Sequence, residues 1–144
     1  QVCIVVKDID RAIEYYTSTF GMGPFRIGDV DMEGVLLRGK PTSTKIKVAL
    51  AESGPLQVEL IQPVEGQNIY TEFLDSKGEG LHHLGFQVDD LDAILAELAK
   101  EGIEPVFYHS FPDLGIAFAY LNTDRIGGVI FELIEVKKRG KEKR

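Results

Sequence analysis

The chain has 144 residues, of which 44% are hydrophobic and 27% charged, the balance of an ordinary globular protein and the length of one domain. No apolar run approaches the roughly 18 residues that a membrane helix requires, which argues against a membrane protein. The single cysteine, Cys3, excludes an internal disulfide framework and fits a reducing compartment, so we expect a cytoplasmic protein.

The net charge of −7 is unevenly distributed along the chain. Residues 137–144 form a basic tail with six basic side chains and one acidic one, so the rest of the chain is strongly acidic. An acidic body argues against nucleic acid as a partner. The tail is interpreted as a solvated terminus, and the alternative is an arm that binds nucleic acid or a membrane surface.

The first half of the chain is predicted to form one strand, one helix and then further strands. Asp8 or Asp10 caps the helix, because a short side-chain oxygen accepts a free backbone N–H there. The helix is predicted to end near Phe20, where glycines and a proline follow. Residues 38–45 are polar, contain glycine and proline, and are predicted to be a turn or loop. The predicted strands are 2–6, 25–29, 34–37, 46–51 and 56–61.

The second half repeats this order after a connecting segment. Residues 83–95 align with residues 1–13, so that His83 takes the place of Gln1. The connecting segment carries Ile69, Phe73 and Leu74 at helical spacing, which predicts a short helix. A second long helix is predicted over 91–101. The predicted strands of this half are 84–88, 106–108, 116–121 and 129–136.

Two such copies can bury their apolar faces against each other in one domain. We therefore predict an α+β fold of two tandem βαβββ modules. Residues 1–136 form the single domain, with module 1 at about 1–63, a linker at 64–80 and module 2 at about 81–136, and the basic tail at 137–144 follows it.

Matching positions of the two copies carry polar side chains inside apolar strands. Strand alternation places Gln1 and His83 on the face turned away from the helices, and places His82 on the opposite face. Glu59 and Glu132 each interrupt an apolar run in the last strand of their copy. An isolated carboxylate on an apolar face costs several kcal/mol unless it is paired or neutralised.

A divalent cation held by Gln1, Glu59, His83 and Glu132 would compensate both carboxylates, and one imidazole nitrogen with three oxygens suits a hard-to-borderline ion. The alternative for either glutamate taken singly is an ordinary solvent-facing side chain. Cys3 is interpreted as a small core residue, because no second cysteine or basic cluster adjoins it.

Several motifs resemble the vicinal oxygen chelate superfamily, which includes glyoxalase I, bleomycin-resistance proteins, extradiol dioxygenases and methylmalonyl-CoA epimerase. The match covers essentially residues 1–136 and is most similar to methylmalonyl-CoA epimerase and lactoylglutathione-lyase-like proteins. The resemblance implies a mixed β-sheet curled around a central metal cleft, and its four ligand positions fall on the four residues named above. The motifs are Lys7-Asp8-Ile9, Val58-Glu59-Leu60-Ile61-Gln62-Pro63, Lys77-Gly78-Glu79-Gly80-Leu81-His82-His83 and Gly127-Gly128-Val129-Ile130-Phe131-Glu132-Leu133.

This chain departs from the epimerase pattern at two places. The epimerases usually have histidine at the position of Gln1, where some glyoxalase I enzymes have glutamine. The epimerase acid/base glutamate has no clean counterpart, with Glu33 near its position and Asp31 as the rival.

The resemblance implies a metal-dependent epimerase or isomerase that acts through a metal-stabilised enolate, with Glu132 and Glu33 as the catalytic acid/base residues. It implies a divalent cobalt, nickel, zinc or manganese ion, a small-molecule substrate of the acyl-CoA thioester type, and a homodimer. The alternatives are a glyoxalase I-like lyase and a metal-free binding protein of the bleomycin-resistance type.

Overall fold

The computed structural model describes residues 1–125 and 127–138. Lys137 and Lys138 are exposed, and the rest of the predicted basic tail lies outside the described residues. None of the helices in the described part is both long and apolar enough to cross a membrane.

The described residues form eight strands and three α-helices in the order of two βαβββ units joined by a helix. The first unit contains β1 (Val2–Val5), α1 (Ile9–Phe20), β2 (Arg26–Leu37), β3 (Lys40–Ser53) and β4 (Leu56–Gly66). The joining helix is α2 (Ile69–Lys77). The second unit contains β5 (Gly80–Val88), α3 (Leu91–Lys100), β6 (Pro105–Phe111), β7 (Ile116–Leu121) and β8 (Ile130–Val136), with a short 3-10 turn at Pro112–Leu114.

All eight strands belong to one mixed sheet that curls into a closed barrel, in the order β1-β4-β3-β2-β6-β7-β8-β5. Within the units, β1 pairs in parallel with β4 and β5 in parallel with β8. The two units join through antiparallel pairs of β1 with β5 and of β2 with β6. The predicted curled α+β sheet is therefore confirmed. Strands β4, β1, β5 and β8 lie side by side, and this four-strand wall carries the candidate metal ligands.

Equivalent caps and apolar faces fix the two long helices on the outside of the barrel. Asp8 accepts a hydrogen bond from the backbone N–H of Arg11, and Asp90 accepts one from Ala93, so each helix begins at the same aspartate of the repeat. The helices cover two apolar clusters on the outer face of the sheet, while a third cluster fills the barrel. The buried residues are Val6, Ile9, Ala49 and Leu60 under α1, and Leu91, Ala119, Leu121 and Leu133 under α3.

The prediction of a loop over residues 38–45 was wrong. Only Arg38 and Gly39 form the turn, both with positive φ (49° and 78°), and β3 begins directly at Lys40. The two predicted strands before this turn are one continuous strand, β2, with a bulge between Glu33 and Val35. Polar residues typical of a loop form strands here because β2 and β3 pair with each other from end to end.

Candidate metal centre

The four predicted ligands come from four neighbouring strands. Gln1 precedes β1, and Glu59, His83 and Glu132 lie in β4, β5 and β8. Cys3 of β1 pairs with both Glu59 and His83, and Gly85 of β5 pairs with Glu132. The structure thus brings residues that are up to 131 positions apart in the chain into one cluster, which we call the acidic cluster (Gln1, Glu59, His83 and Glu132).

Each member of the acidic cluster has a buried atom that could bind a metal ion and that makes no hydrogen bond of good geometry among the described residues. These atoms are Gln1 Oε1, Glu59 Oε1, His83 Nε2 and Glu132 Oε2. His83 Nε2 lies 3.0 Å from Glu132 Oε2 and 3.4 Å from Glu59 Oε1. These two contacts are ion pairs when His83 is protonated, but none of the four atoms makes a hydrogen bond of good geometry. Buried polar atoms are normally satisfied, so four such atoms close together indicate a common partner.

The electrostatics of the cluster favour a cation. Burial alone would lower the pKa of the His83 imidazole, but the carboxylates of Glu132 and Glu59 outweigh that effect and raise it to about 9. Burial also raises the pKa of the Glu132 carboxyl group, since its side chain is nearly inaccessible to water. Two carboxylates, one imidazole and one amide oxygen match the charge and the ligand preference of a divalent metal ion. The residues present therefore fit the implied metal.

Gln1 and Gly85 show how closely the cluster is packed. The Gln1 Nε2 donates a hydrogen bond of 2.8 Å to Gln57 Oε1, which leaves Gln1 Oε1 free on its other side. A Cβ atom at position 85 would lie 3.0 Å from Gln1 Oε1 and 3.3 Å from Glu132 Oε2. Because Gly85 has no side chain, Gln1 Oε1 and Glu132 Oε2 can approach the same point.

We expect the Gly85→Ala variant to bind a divalent metal about tenfold more weakly than the wild type, because the new methyl group displaces Gln1 Oε1 and Glu132 Oε2 from the common point. Calorimetric titration of metal-free protein with Co²⁺ measures the change. Gly28→Ala in β2 is the matched control, since a Cβ there meets nothing within 4 Å. Equal affinities of the Gly85→Ala variant and the wild type would show that metal is not bound at this point.

Cys3 lies closer to the cluster than its sequence context indicated. Its Sγ, a carboxylate oxygen of Glu59 and a ring nitrogen of His83 all lie within 4.8 Å of one another. The thiol is fully buried, and burial together with the Glu59 carboxylate raises its pKa. In the metal-free protein Cys3 is therefore a neutral thiol, as expected for a small core residue.

The prediction that His82 faces away from His83 was wrong. Cys3 pairs with His83 but the next residue, Ile4, pairs with Leu81, so His82 is the extra residue of a β-bulge. Both imidazoles consequently turn into the barrel, with His82 Nδ1 2.9 Å from His83 Nδ1. Side-chain alternation, read from a single sequence, does not show where a bulge lies. The sequence signal for this contact was the adjacency of the two histidines.

Two buried tyrosines next to the cluster had no recognisable sequence signal. The ring of Tyr120 lies 4.7 Å from the ring of His83, edge to face, and its hydroxyl group accepts a hydrogen bond of 2.8 Å from Tyr70. Tyr70 belongs to α2, the helix that connects the two units. The connecting segment therefore forms part of the packing beneath the acidic cluster.

The side chains of Glu33 and of the alternative residue Asp31 point away from the barrel interior. Val30 and Met32 pack into the interior cluster, so the alternating side chains of Asp31 and Glu33 lie on the outer face of β2, where both are exposed. The Glu33 carboxylate accepts a hydrogen bond of 2.6 Å from Ser43 Oγ. A catalytic role of Glu33 remains a prediction.

A groove of about 380 Å³ borders the acidic cluster at Gln1 and Gly85. Its remaining lining is both polar and apolar: Glu52, Gln57, Gln87, Pro55, Ile134 and Val136. The groove therefore offers a small molecule both hydrogen-bonding groups and an apolar contact beside the buried donor atoms.

Comparison with known protein families places the whole fold. The family described as the glyoxalase/bleomycin resistance protein/dioxygenase superfamily matches residues 1–120. The chain belongs to this superfamily. Its enzymes commonly use a divalent metal ion. In this chain Cys3, Glu59 and His83 lie close enough together to hold one, and Gln1 and Glu132 as further ligands remain a prediction.

Individual members of the superfamily support the same assignment. Protein YqjC of Bacillus subtilis, which is uncharacterised, is 31% identical over 137 residues, 93% of this chain and 89% of YqjC. The mitochondrial methylmalonyl-CoA epimerase of Mus musculus is 25% identical over 134 residues, 92% of this chain and 69% of that protein. The crystal structure of methylmalonyl-CoA epimerase from Mycobacterium tuberculosis superposes with a TM-score of 0.67 at 26% identity, covering 95% of this chain and 86% of that one. These relatives support an epimerase-like enzyme.

Proposed function

We propose that the protein is a metal-dependent isomerase that epimerises a thioester of the methylmalonyl-CoA type. The observation that carries the proposal is the convergence of four unpartnered donor atoms beside a groove. The epimerase relatives supply the substrate class, an acyl-CoA thioester with a carboxylate on its α-carbon. The α-proton of such a compound is acidic because the thioester carbonyl delocalises the charge of the resulting enolate.

The acidic cluster would hold the cobalt, nickel, zinc or manganese ion through Gln1 Oε1, Glu59 Oε1, His83 Nε2 and Glu132 Oε2. A divalent ion supplies Lewis-acid stabilisation of the negative charge that develops on the substrate oxygens. The imidazole of His83 and the amide of Gln1 would be neutral ligands, so they would add no negative charge to the site. The ion would balance the charge of the two carboxylates, so that an anionic substrate would not be repelled.

Glu132 is the residue that we assign to proton removal. Its carboxylate is buried, and burial raises the pKa of this group towards the range in which a base operates efficiently. Its Oε2 lies near the common point, so a substrate bound to the ion there would lie beside this carboxylate. Epimerisation also requires a group that returns the proton on the opposite face of the α-carbon. The sequence predicts Glu33 for this step, but its exposed position on the outer face of β2 argues against it.

The outward position of Glu33 makes this second assignment testable. We expect the Glu33→Gln variant to keep its epimerisation rate within about threefold of the wild type, because the side chain is exposed on the outer face of β2 and bonds Ser43. Initial rates with methylmalonyl-CoA measure the effect, with Ser43→Ala as the control for the lost hydrogen bond. A loss of a hundredfold or more would assign Glu33 to the reaction.

The second candidate function is a glyoxalase I-like lyase, and Gln1 favours it. Glutamine stands here where the epimerases usually have histidine, and the carboxylates of Glu59 and Glu132 both lie beside His83. Such a lyase also moves a proton next to a carbonyl group, but on a hemithioacetal of a thiol. The bleomycin-resistance type of protein would instead bind a small molecule without metal.

Assays of the purified, metal-loaded protein with methylmalonyl-CoA and with the hemithioacetal of methylglyoxal and glutathione separate the two enzymes. We expect turnover of methylmalonyl-CoA and at most a trace of activity on the hemithioacetal. The reverse result would contradict the epimerase. Elemental analysis of the same preparation tests the metal: a protein that contains no metal and is not stabilised by any of the four ions would be a binding protein.

We also propose a homodimer, which sedimentation equilibrium tests.

A further inference from the structure

We propose that His82 is a positioning residue that holds the His83 imidazole in the orientation and tautomer in which Nε2 faces the metal. The inference rests on the metal centre of the proposed function and goes beyond it by assigning a role to a residue that is not a ligand. It follows from the contact between the two histidines and from the bulge that creates it.

The two imidazoles form a direct nitrogen-to-nitrogen contact. His82 Nδ1 and His83 Nδ1 are 2.9 Å apart, and the rings are nearly perpendicular, with an interplanar angle of 85°. Both side chains are inaccessible to water, with exposed fractions of 2% and 0%. A contact of this length between two ring nitrogens requires one donor and one acceptor.

The position of the acidic cluster decides which ring donates. His83 Nε2 lies between the carboxylates of Glu59 and Glu132 and must offer its lone pair to a metal ion there. The ring proton of His83 is then at Nδ1, which donates to His82 Nδ1. Metal-binding histidines commonly donate their second N–H to a fixed acceptor, which sets the tautomer and the ring orientation.

If Nδ1 of His82 accepts, its own proton is on Nε2. No described group donates a hydrogen bond to His82 Nε2, so that atom is free to carry the proton.

The bulge and three aromatic rings hold His82 in place. The extra residue in β5 turns two consecutive side chains to the same side of the sheet, which regular alternation forbids. The His82 ring then lies 5.2 Å from Tyr70, 5.0 Å from Phe73 and 6.1 Å from Tyr120, measured between ring centres. An apolar ring would fill this space equally well and would avoid the cost of burying an imidazole. The hydrogen bond to His83 is what an imidazole adds.

Two substitutions separate positioning from packing. His82→Phe keeps an aromatic ring in the space but removes the acceptor, and His82→Asn keeps an acceptor near the position of Nδ1. We expect metal-free His82→Phe to remain folded and to bind Co²⁺ 10- to 100-fold more weakly than the wild type. His82→Asn should recover at least half of this loss on a logarithmic scale. Calorimetric titration of chelator-treated protein gives the affinities, and the visible spectrum of bound Co²⁺ reports the ligand geometry.

The wild-type protein provides a measurement that does not depend on folding of the variants. In its metal-free form, ¹⁵N NMR of the imidazole rings should show a proton on His83 Nδ1 and an unprotonated His82 Nδ1. The opposite assignment, or a Co²⁺ affinity of His82→Phe within twofold of the wild type, would overturn the inference.

Epimerase activity is measured separately from metal binding. If the affinities change as expected but methylmalonyl-CoA is not epimerised, the proposed function fails and the role of His82 stands; if the wild type binds no metal ion, both are overturned.

Discussion

The Glu132→Gln variant is expected to epimerise methylmalonyl-CoA about a thousandfold more slowly than the wild type, as is typical when a positioned acid/base group is removed. The substitution preserves the size of the side chain and removes its charge and basicity. Part of the loss also comes from weaker metal binding, because Glu132 Oε2 is one of the four converging donor atoms. Initial rates at saturating metal separate the two contributions.

Glu135→Gln is the matched control for this variant. Glu135 lies in the same strand and is also buried, but its carboxylate accepts a hydrogen bond from the backbone N–H of Leu91 at the start of α3. An amide oxygen can still accept that bond. We therefore expect this variant to keep its rate, and a Glu132→Gln variant as active as Glu135→Gln would contradict the assignment of Glu132 as the base.

Removal of the metal is expected to lower the melting temperature by about 10 °C. A ligand present at a thousand times its dissociation constant stabilises a protein by about 4 kcal/mol, and each kcal/mol corresponds to roughly 2–4 °C in a protein near this size. The gain is expected because the cation would bind four buried atoms that make no hydrogen bond of good geometry without it. Thermal unfolding before and after treatment with a chelator, and again after the addition of Co²⁺, measures it.

A variant without the ligand set controls for non-specific effects of the ion. His83→Ala removes the only imidazole of the acidic cluster, so Co²⁺ should no longer raise its melting temperature. Equal stabilisation of the wild type and of His83→Ala would place the metal elsewhere. A wild-type protein whose melting temperature does not respond to the ion would favour the metal-free binding protein.

The outline of the candidate site could be predicted because the chain contains one unit twice. Gln1 and His83 occupy the same position of the repeat, as do Glu59 and Glu132, and each carboxylate interrupts an apolar strand. The energetic cost of a buried, unpaired charge makes such a pattern informative without any structure. The helices were also predictable, since their aspartate caps and apolar stripes are local features.

The remaining features depend on pairing between distant strands. The bulge that turns His82 towards His83 arises where β5 pairs with β1, almost eighty residues away in the chain. The side of β2 on which Glu33 lies depends on the bulge at its C-terminal end and on its pairing with β3. The loop expected at residues 38–45 became a two-residue turn for the same reason.

By itself, the sequence determined the repeated βαβββ order, the helix caps and the four polar positions in apolar strands, because these follow from periodicity and from the cost of burying charge. Tertiary structure alone decided that the barrel closes with β4, β1, β5 and β8 side by side, that a bulge places His82 behind His83, and that Glu33 lies outside the barrel. Side-chain direction in a strand changes with a shift of one residue, and that shift is set by the neighbouring strand rather than by local sequence.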